Sequence, residues 1–257
     1  RKLDVQPDQI YELTGWLWVE GDGDATLSVI LYDTQNDAID WSYGGQTVKA
    51  ADRWQPVRSR FLIPRGAATI VPRLMGTGSA TVWLDDADLK PAGSVQQMRN
   101  AELPAKLAIA NPVLQVTLQT ADGTLAVTDR RTNQTWRQRA DAPIIVLDAK
   151  PAERAIHVQL LEPSAMLTIS AAIELDAQRP ELLVRLAATG EIKNAIRYPG
   201  PFATQKGTLL VLPINEGISY PADDATLPPM HYHTYGGHGL CMGWWGQTEG
   251  QRAALAI

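Results

Sequence analysis

Cysteine is almost absent from the sequence, since it occupies only one of the 257 positions. One cysteine cannot form an internal disulfide, so the cysteine content fits a cytoplasmic protein as well as an exported bacterial protein with a large core. No apolar run approaches the roughly 18 residues that a transmembrane helix needs, and the N-terminus has no signal-peptide pattern. We therefore predict no membrane span.

Basic clusters are also missing. The chain carries 23 Lys and Arg against 28 Asp and Glu, for a formal net charge of −5, and no run of basic residues stands out. A nucleic-acid-binding surface is positively charged, so this class of partner is not expected. The 45% content of hydrophobic residues is enough for a proper core, in two ordinary domains or one large β-structure.

Long helical periodicity is almost absent, and short alternating or β-branched runs take its place. They are separated by Gly, Pro, Asn and Asp at a spacing of roughly 8–12 residues, which is typical of sandwiches and barrels. Examples are "YELTGWLWVE", "ATLSVILYD", "AIHVQLLE" and "ELLVRLAAT". The pattern predicts an all-β protein made of β-sandwiches.

The segment 91–106, "PAGSVQQMRNAELPAK", has few large apolar residues and separates two β-rich halves. We predict a sandwich over 1–93, a linker over 94–106 with a short helix in "SVQQMRNAEL", and a second sandwich over 107–257. The start at Arg1 and the apolar end "RAALAI" lead us to expect a piece of a longer polypeptide, with the second sandwich continuing beyond 257.

Aromatic residues are concentrated in the first half. Trp16 and Trp18 share one face of "GWLWV", so either their face or that of Leu17 and Val19 points away from the core. Trp41 and Tyr43 lie in the polar stretch "DAIDWSYGG", which is typical of a loop or a strand end and makes them the better candidates for an exposed site. Because sugar rings stack on flat aromatic side chains, these four residues are predicted to bind carbohydrate, with burial in the core as the alternative.

The stretch 231–245, "HYHTYGGHGLCMGWW", contains three of the four histidines and the only cysteine. Its glycines allow tight turns, and its rings offer flat faces and neutral hydrogen-bonding groups. We predict that it forms one wall of a sugar-binding cleft, through His231, His233, Tyr235, His238, Trp244 and Trp245. The alternatives are structural packing, with Cys241 in a buried strand, and a zinc-like site formed by the histidines and Cys241.

Carboxylates near this stretch give a catalytic alternative, because two acids at a suitable distance can hydrolyse glycosidic bonds. The acids are Glu216, Asp223, Asp224 and Glu249. Each is also consistent with a turn or a solvated residue. His157, in the strand-like run "AIHVQLLE", is expected to be structural.

The first half resembles a known family through "VQPDQIYELTGWLWVEG", "DRWQPVRSRFLIP" and "ATVWLDDADLKPAG". Residues 3–93 are similar to the carbohydrate-binding modules of families 4, 9 and 22, which are jelly-roll sandwiches attached to glycoside hydrolases. The resemblance implies structural roles for Trp54 and Trp83 and a structural calcium ion held by Asp85, although the family's first strand is missing or reduced here. No other cofactor is expected.

The second half, through "LQVTLQTADGTLAVTDRRTNQTWRQ", "LLVLPINEGISYPADD" and "GLCMGWWGQTEGQRAALAI", resembles the galactose-mutarotase-like sandwich of endo-α-N-acetylgalactosaminidase-like enzymes. In such enzymes a (β/α)₈ barrel of about 250 residues carries the catalytic carboxylates, and this chain has no room for one. The resemblance implies a non-catalytic, carbohydrate-binding N-terminal region of a secreted or periplasmic bacterial glycoside hydrolase. Its expected partners are an oligo- or polysaccharide and a C-terminal catalytic domain of the same polypeptide.

Two other functions stay open at the level of the sequence. One is a stand-alone aldose-epimerase-like enzyme that uses a histidine and a carboxylate of the second half. The other is a non-catalytic surface or adhesion protein without a role in sugar binding.

Overall fold

A computed structural model describes residues 2–140, 144–163, 165–190, 196–215, 217–226, 233 and 239–257. Strands make up 64% of the described residues and helix 2%, which confirms the all-β prediction. The described strands form four antiparallel sheets of four strands each. No helix in these residues is both long enough and apolar enough to cross a membrane.

The first sheet contains three unusually long strands. Its members, in the order β1-β4-β2-β3 across the sheet, are β1 (Leu3–Asp4), β2 (Gln9–Tyr32), β3 (Ala38–Leu62) and β4 (Thr69–Ser94). The runs "YELTGWLWVE" and "ATLSVILYD", predicted as separate strands, are both parts of β2. They stay continuous because β4 pairs with the "GDGD" segment between them without interruption.

These long strands bend near the middle. Gly21 and Gly78 have φ values of +106° and +71°, which L side chains rarely adopt. On the other side of β2 the pairing with β3 jumps from Val19 to Asp24, so four residues of β2 stand against a single residue of β3. A Cβ built on Gly15 would lie 3.2 Å from Leu27 Cδ2, so the two ends of β2 face each other. Each half of the bent sheet is therefore one layer of a sandwich.

We call residues 9–19, 51–62 and 81–94 the first layer, and residues 24–32, 38–49 and 69–77 the second layer. Alternate residues of both layers fill one core. Its fully or almost fully buried members include Leu13, Leu17, Val19, Leu27, Val29, Leu31, Phe61 and Ile70. Burial of this many large apolar side chains is the main force that holds the bent strands together.

The predicted linker is packed between the two halves. It begins with helix α1 (Val95–Met98), whose Ser94 cap accepts a hydrogen bond from the Gln97 backbone while the Gln97 side chain accepts one from the Ser94 backbone. One apolar cluster contains residues from the first half, from α1 and from the second half: Ile10, Leu62, Val95, Leu147 and Leu161. The two halves therefore share buried apolar surface.

The second half begins with two sheets that enclose a separate core. One sheet is β5 (Lys106–Ala110), β6 (Leu114–Gln119), β7 (Leu125–Asp129) and β8 (Gln134–Arg137), paired in chain order. The other is β9 (Ile145–Pro151), β10 (Ala155–Glu162), β11 (Leu167–Leu175) and β12 (Leu182–Ala188), also paired in chain order. Their alternating patterns place Val116, Leu118, Ile156, Val158 and Ile169 in the core, each at most 1% exposed.

The fourth sheet pairs in the order β14-β13-β15-β16. Its strands are β13 (Leu209–Leu212), β14 (Ile218–Pro221), β15 (Trp245–Glu249) and β16 (Arg252–Ala256). A hydrogen-bond network joins it to β8, because Gln134 donates to Glu249 at 2.8 Å and Arg252 donates to the Gln134 side chain at 2.7 Å. The last part of the chain is therefore attached to the second core.

Candidate functional site

Four tryptophans lie together on the outer face of the first layer. Trp18 on β2 is directly opposite Trp83 on β4, and on its other side Trp18 meets Trp54 of β3, with ring centroids 6.1 Å apart. Trp16 is two residues before Trp18 on β2. We call Trp16, Trp18, Trp54 and Trp83 the tryptophan strip.

Strand alternation explains why the strip faces solvent. Leu17 and Val19 are fully buried, and their partners on β4 are Leu84 and Val82. Side chains at neighbouring positions on a strand point to opposite faces, so Trp16 and Trp18 point outward. Trp16, Trp54 and Trp83 are 42%, 40% and 44% exposed. That is an unusual amount of apolar surface for one face of one layer.

Apart from Pro56, which is opposite Trp16, most of the rest of this face is polar. At the end nearest α1, Glu12 forms an ion pair with Arg58 at 2.6 Å, and Asp88 forms one with Lys90 at 2.9 Å. Close to the strip, Asp85 is directly opposite Trp16, and Glu20 follows Trp18 by two residues. Asp85 and Glu20 therefore lie on opposite sides of the Trp18–Trp83 pair along the strands.

The structural roles that the family resemblance implies for Trp54 and Trp83 do not agree with this geometry. Trp83 shares the outer face because it is opposite Trp18, and Trp54 shares it because its ring meets that of Trp18 edge-on. Neither ring belongs to the core of the sandwich. For Trp83 the sequence offers one signal, because it follows Val82, which packs against the core.

Trp41 and Tyr43 lie in the second layer, away from the strip. Trp41 is 58% exposed, with the Arg73 guanidinium 5.6 Å from its ring centroid and the Arg73 side chain donating to its backbone carbonyl at 2.7 Å. Tyr43 is half-buried, packs edge-on against Phe61, and donates its hydroxyl hydrogen to Leu62 O at 2.7 Å. Burial, with a smaller contribution from Asp40, raises the pKa of Tyr43 to about 12. The two residues do not form an exposed pair.

The stretch 231–245 is described only in part. His231, Tyr235 and His238 lie outside the described residues, so their predicted roles stay predictions. His233 is exposed, and its backbone carbonyl accepts a hydrogen bond from Leu240 N at 2.9 Å. Trp244 and Trp245 are half-buried, and Trp245 opens β15 opposite Ala256.

Cys241 is exposed, so the prediction of a buried strand at this position is wrong. It lies at a bend before β15, where its backbone N–H donates to Pro213 O at 2.7 Å. His157 is exposed as well. Its neighbours on β10, Ile156 and Val158, point into the core, so the His157 side chain points to the opposite face.

The acids of the second half have local structural partners. Glu249 accepts hydrogen bonds from Gln134 and from the Thr208 hydroxyl, at 2.8 and 2.9 Å. Asp224 accepts from the backbone N–H and hydroxyl of Thr226, and these bonds lower its pKa. Asp223 is exposed, and Glu216 lies outside the described residues. Glu249 and Asp224 therefore each hold a local hydrogen-bonded structure, and the catalytic alternative stays a prediction.

The calcium ion expected at Asp85 stays a prediction. Asp85 is exposed, and its Oδ1 accepts a hydrogen bond from the backbone of Asp86 at 2.9 Å. Within the described part of the chain, no group of three or more His, Cys, Asp or Glu side chains is placed to hold a metal ion.

Comparisons with known proteins give little further guidance. No family model matches the sequence, and no curated protein is similar to it at a significant level. Among solved structures, the chain is similar to the N-terminal CBM22-1–CBM22-2 tandem domain of Xyn10C from Paenibacillus barcinonensis, with 14% identity and a TM-score of 0.30. The match covers 82% of this chain and 53% of the other, so it spans about half of that chain's length.

Proposed function

We propose that this chain binds carbohydrate on the outer face of its first sandwich, through the tryptophan strip. The observation that carries the proposal is the row of Trp54, Trp18 and Trp83 across three neighbouring strands, in which the two outer rings are exposed and Trp18 is half-buried. Tryptophans of a sandwich usually pack in the core, whereas three of the four in the strip, Trp16, Trp54 and Trp83, are at least 40% exposed.

Exposed indole rings with polar groups beside them can recognise a sugar. The C–H faces of a pyranose are apolar and pack on an indole ring, while its hydroxyls need hydrogen-bond partners at the rim. The rim offers such partners in Glu20, Asp85 and Thr81, all of which are exposed. An apolar platform with polar groups beside it is the combination that sugar recognition requires.

The ring orientations indicate the shape of the ligand. The planes of Trp18 and Trp54 are inclined by 76° to each other, so a flat surface cannot stack on both rings at once. A single glycan chain can stack on one ring and contact the edge of the next. The proposed ligand is therefore an individual oligo- or polysaccharide chain.

The test is binding of soluble glycans to Trp18→Ala and Trp83→Ala, first on a glycan array and then by titration calorimetry. Each substitution removes a stacking face at the centre of the proposed site, so affinity should fall at least roughly tenfold. Trp41→Ala is the matched control, because it removes a still more exposed tryptophan from the second layer of the same sandwich and should leave affinity unchanged.

Two results would contradict the proposal. Binding that survives both strip substitutions but is lost in Trp41→Ala would move the site to the second layer. If the wild-type protein binds no glycan at all, the exposed strip would instead fit a surface or adhesion protein. Circular dichroism of each variant separates lost binding from lost folding.

A wider proposal concerns the context of the chain. The sequence resemblance described above suggests that it positions a glycan for a catalytic barrel in the same polypeptide, in a secreted or periplasmic glycoside hydrolase. The product of the natural gene should then have a mass well above 28.1 kDa. It should also occur in the periplasmic or extracellular fraction. A mature product of 28.1 kDa that stays in the cytoplasm would rule this context out.

A further inference from the structure

We propose that the tryptophan strip prefers glycans that carry protonated amino groups, such as N-deacetylated amino-sugar chains, over neutral and acidic glycans. This inference rests on the proposed function and adds the class of sugar. Two independent features support it: the unpaired carboxylates next to the strip, and the exposed indole faces.

The carboxylates are Glu20 and Asp85. Glu20 is two residues from Trp18 along β2, which places it roughly 7 Å away on the same face. Asp85 is directly opposite Trp16, so their Cβ atoms lie about 5 Å apart. A ligand stacked on Trp16 and Trp18 is thus within reach of both carboxylates.

These carboxylates differ from the others on the face. Glu12 and Asp88 are neutralised by Arg58 and Lys90. Among the described residues, no Lys or Arg forms an ion pair with Glu20 or Asp85. Both side chains are exposed, so a cationic ligand can pair with them without displacing a protein cation.

The other charged residues near the strip do not neutralise the negative charge of Glu20 and Asp85. Asp52 and Arg53 are exposed, precede Trp54 on β3, and carry opposite charges. Arg60 lies at the far end of the face, where it donates to Ala92 O at 3.3 Å. The local field around the strip is therefore negative, as is the net charge of −5 of the whole chain.

The indole faces also favour a positively charged ligand. A cation placed over a tryptophan ring is attracted to the negative face of its π-system, and this attraction is strongest for tryptophan. The chain already contains one such contact, between Arg73 and Trp41. An ammonium group on a sugar stacked at the strip gains both the ring attraction and the pairing with a carboxylate, whereas a uronic acid is repelled.

The experiment compares three tetrasaccharides by titration calorimetry: a fully deacetylated glucosamine chain, its N-acetylated counterpart, and a galacturonic acid chain. At about pH 5.5, between the ordinary titration ranges of carboxylic acids and amines, the first carries positive charge and the last negative charge. A chelator keeps divalent cations away from Asp85. We expect the deacetylated chain to bind roughly tenfold more tightly than the acetylated one at low salt, and the acidic chain to bind least.

The same comparison is then made in the double variant Glu20→Gln/Asp85→Asn and at high salt, where exposed charges are screened. In both cases the preference for the deacetylated chain should shrink to about twofold or less. The matched control is Glu153→Gln/Glu181→Gln, which removes two charges from exposed sites in the second half and should keep the preference.

The outcomes separate the two proposals. Equal affinity for the acetylated and deacetylated chains, or a preference that persists in the double variant, overturns the inference while leaving carbohydrate binding intact. A preference that Trp18→Ala does not weaken shows that the amine binds elsewhere, which also overturns it. If none of the three chains binds and the array is blank, the proposed function itself fails.

Discussion

The hydroxyl of Tyr43 donates to the backbone carbonyl of Leu62, 19 residues further along the same strand. This bond exists only because β3 turns back on itself. Tyr43→Phe removes the bond and leaves the ring in place, so the free energy of unfolding should fall by about 1 kcal/mol. Urea denaturation gives this value. Glycan affinity should not change, and a large loss of affinity would instead place Tyr43 in the binding site.

The same tyrosine predicts how stability responds to alkaline pH. Its pKa is raised from 10.0 to about 12 because burial disfavours the phenolate. The folded state then holds the proton more tightly than the unfolded state, so this contribution is complete below pH 10 and is lost as the pH rises toward 12. Wild type should lose stability more steeply than Tyr43→Phe over this interval, as urea midpoints at several pH values would show. Parallel curves would contradict the raised pKa.

Gly44 is a position where no side chain fits. Its φ is +61°, and a Cβ there would lie 2.5 Å from Phe61 Cδ1. Gly44→Ala should cost roughly 1–2 kcal/mol for the left-handed backbone and roughly 1–3 kcal/mol more for the clash.

Gly66→Ala provides the control for Gly44→Ala. Gly66 has a φ of +93° with nothing within 4 Å of the added carbon, so only the backbone cost applies. Thermal unfolding of both variants gives the difference between them. Equal destabilisation would mean that Phe61 moves aside freely.

Glu249 connects the last sheet to β8. Glu249→Ala leaves the almost buried Gln134 amide and the fully buried Thr208 hydroxyl without this acceptor. Unsatisfied groups of this kind cost roughly 1–3 kcal/mol, and Glu249→Gln, which keeps one acceptor oxygen, should cost less. Denaturant unfolding tests the ranking. The exposed Glu181→Ala should change stability by less than about 0.5 kcal/mol.

Asp176 predicts how stability changes at acidic pH. Its carboxylate accepts hydrogen bonds from the backbone N–H groups of Gln178 and Arg179 and from the Arg179 side chain, which together lower its pKa to about 2. The stabilisation is present above the ordinary value of 3.8 and is lost as the pH falls through about 2. A carboxyl-carbon NMR titration should show a midpoint near 2. A midpoint near 3.8 would mean that this turn is open in solution.

Much of the fold could be predicted from the sequence, because period-2 alternation directly reports which face of a strand is buried. Leu17 and Val19 show this well, since their burial forces Trp16 and Trp18 outward. The bending of the long strands could not be predicted. It depends on the pairing of Gly21 with Ala80 and of Gly78 with Gly23, which brings the two glycines close together on neighbouring strands. Strand pairing is not visible in a single sequence.

The tryptophan strip was predicted only in part for the same reason. Trp16 and Trp18 are neighbours on one strand, so alternation groups them. Trp54 and Trp83 reach the strip through the register of β3 and β4, which long-range pairing determines. The polar surroundings of Trp41 and Tyr43 suggested an exposed pair, but the return of β3 buries one side of Tyr43 against Phe61.

The cluster of Ile10, Leu62, Val95, Leu147 and Leu161 contains side chains from both halves of the chain. A half cannot unfold without exposing apolar surface of the other, so their unfolding equilibria are linked. If a glycan binds at the strip, as proposed above, it stabilises the first sandwich by mass action, and the shared cluster extends part of that stabilisation to the second. Amides of the second core would then exchange with solvent more slowly when sugar is bound far from them.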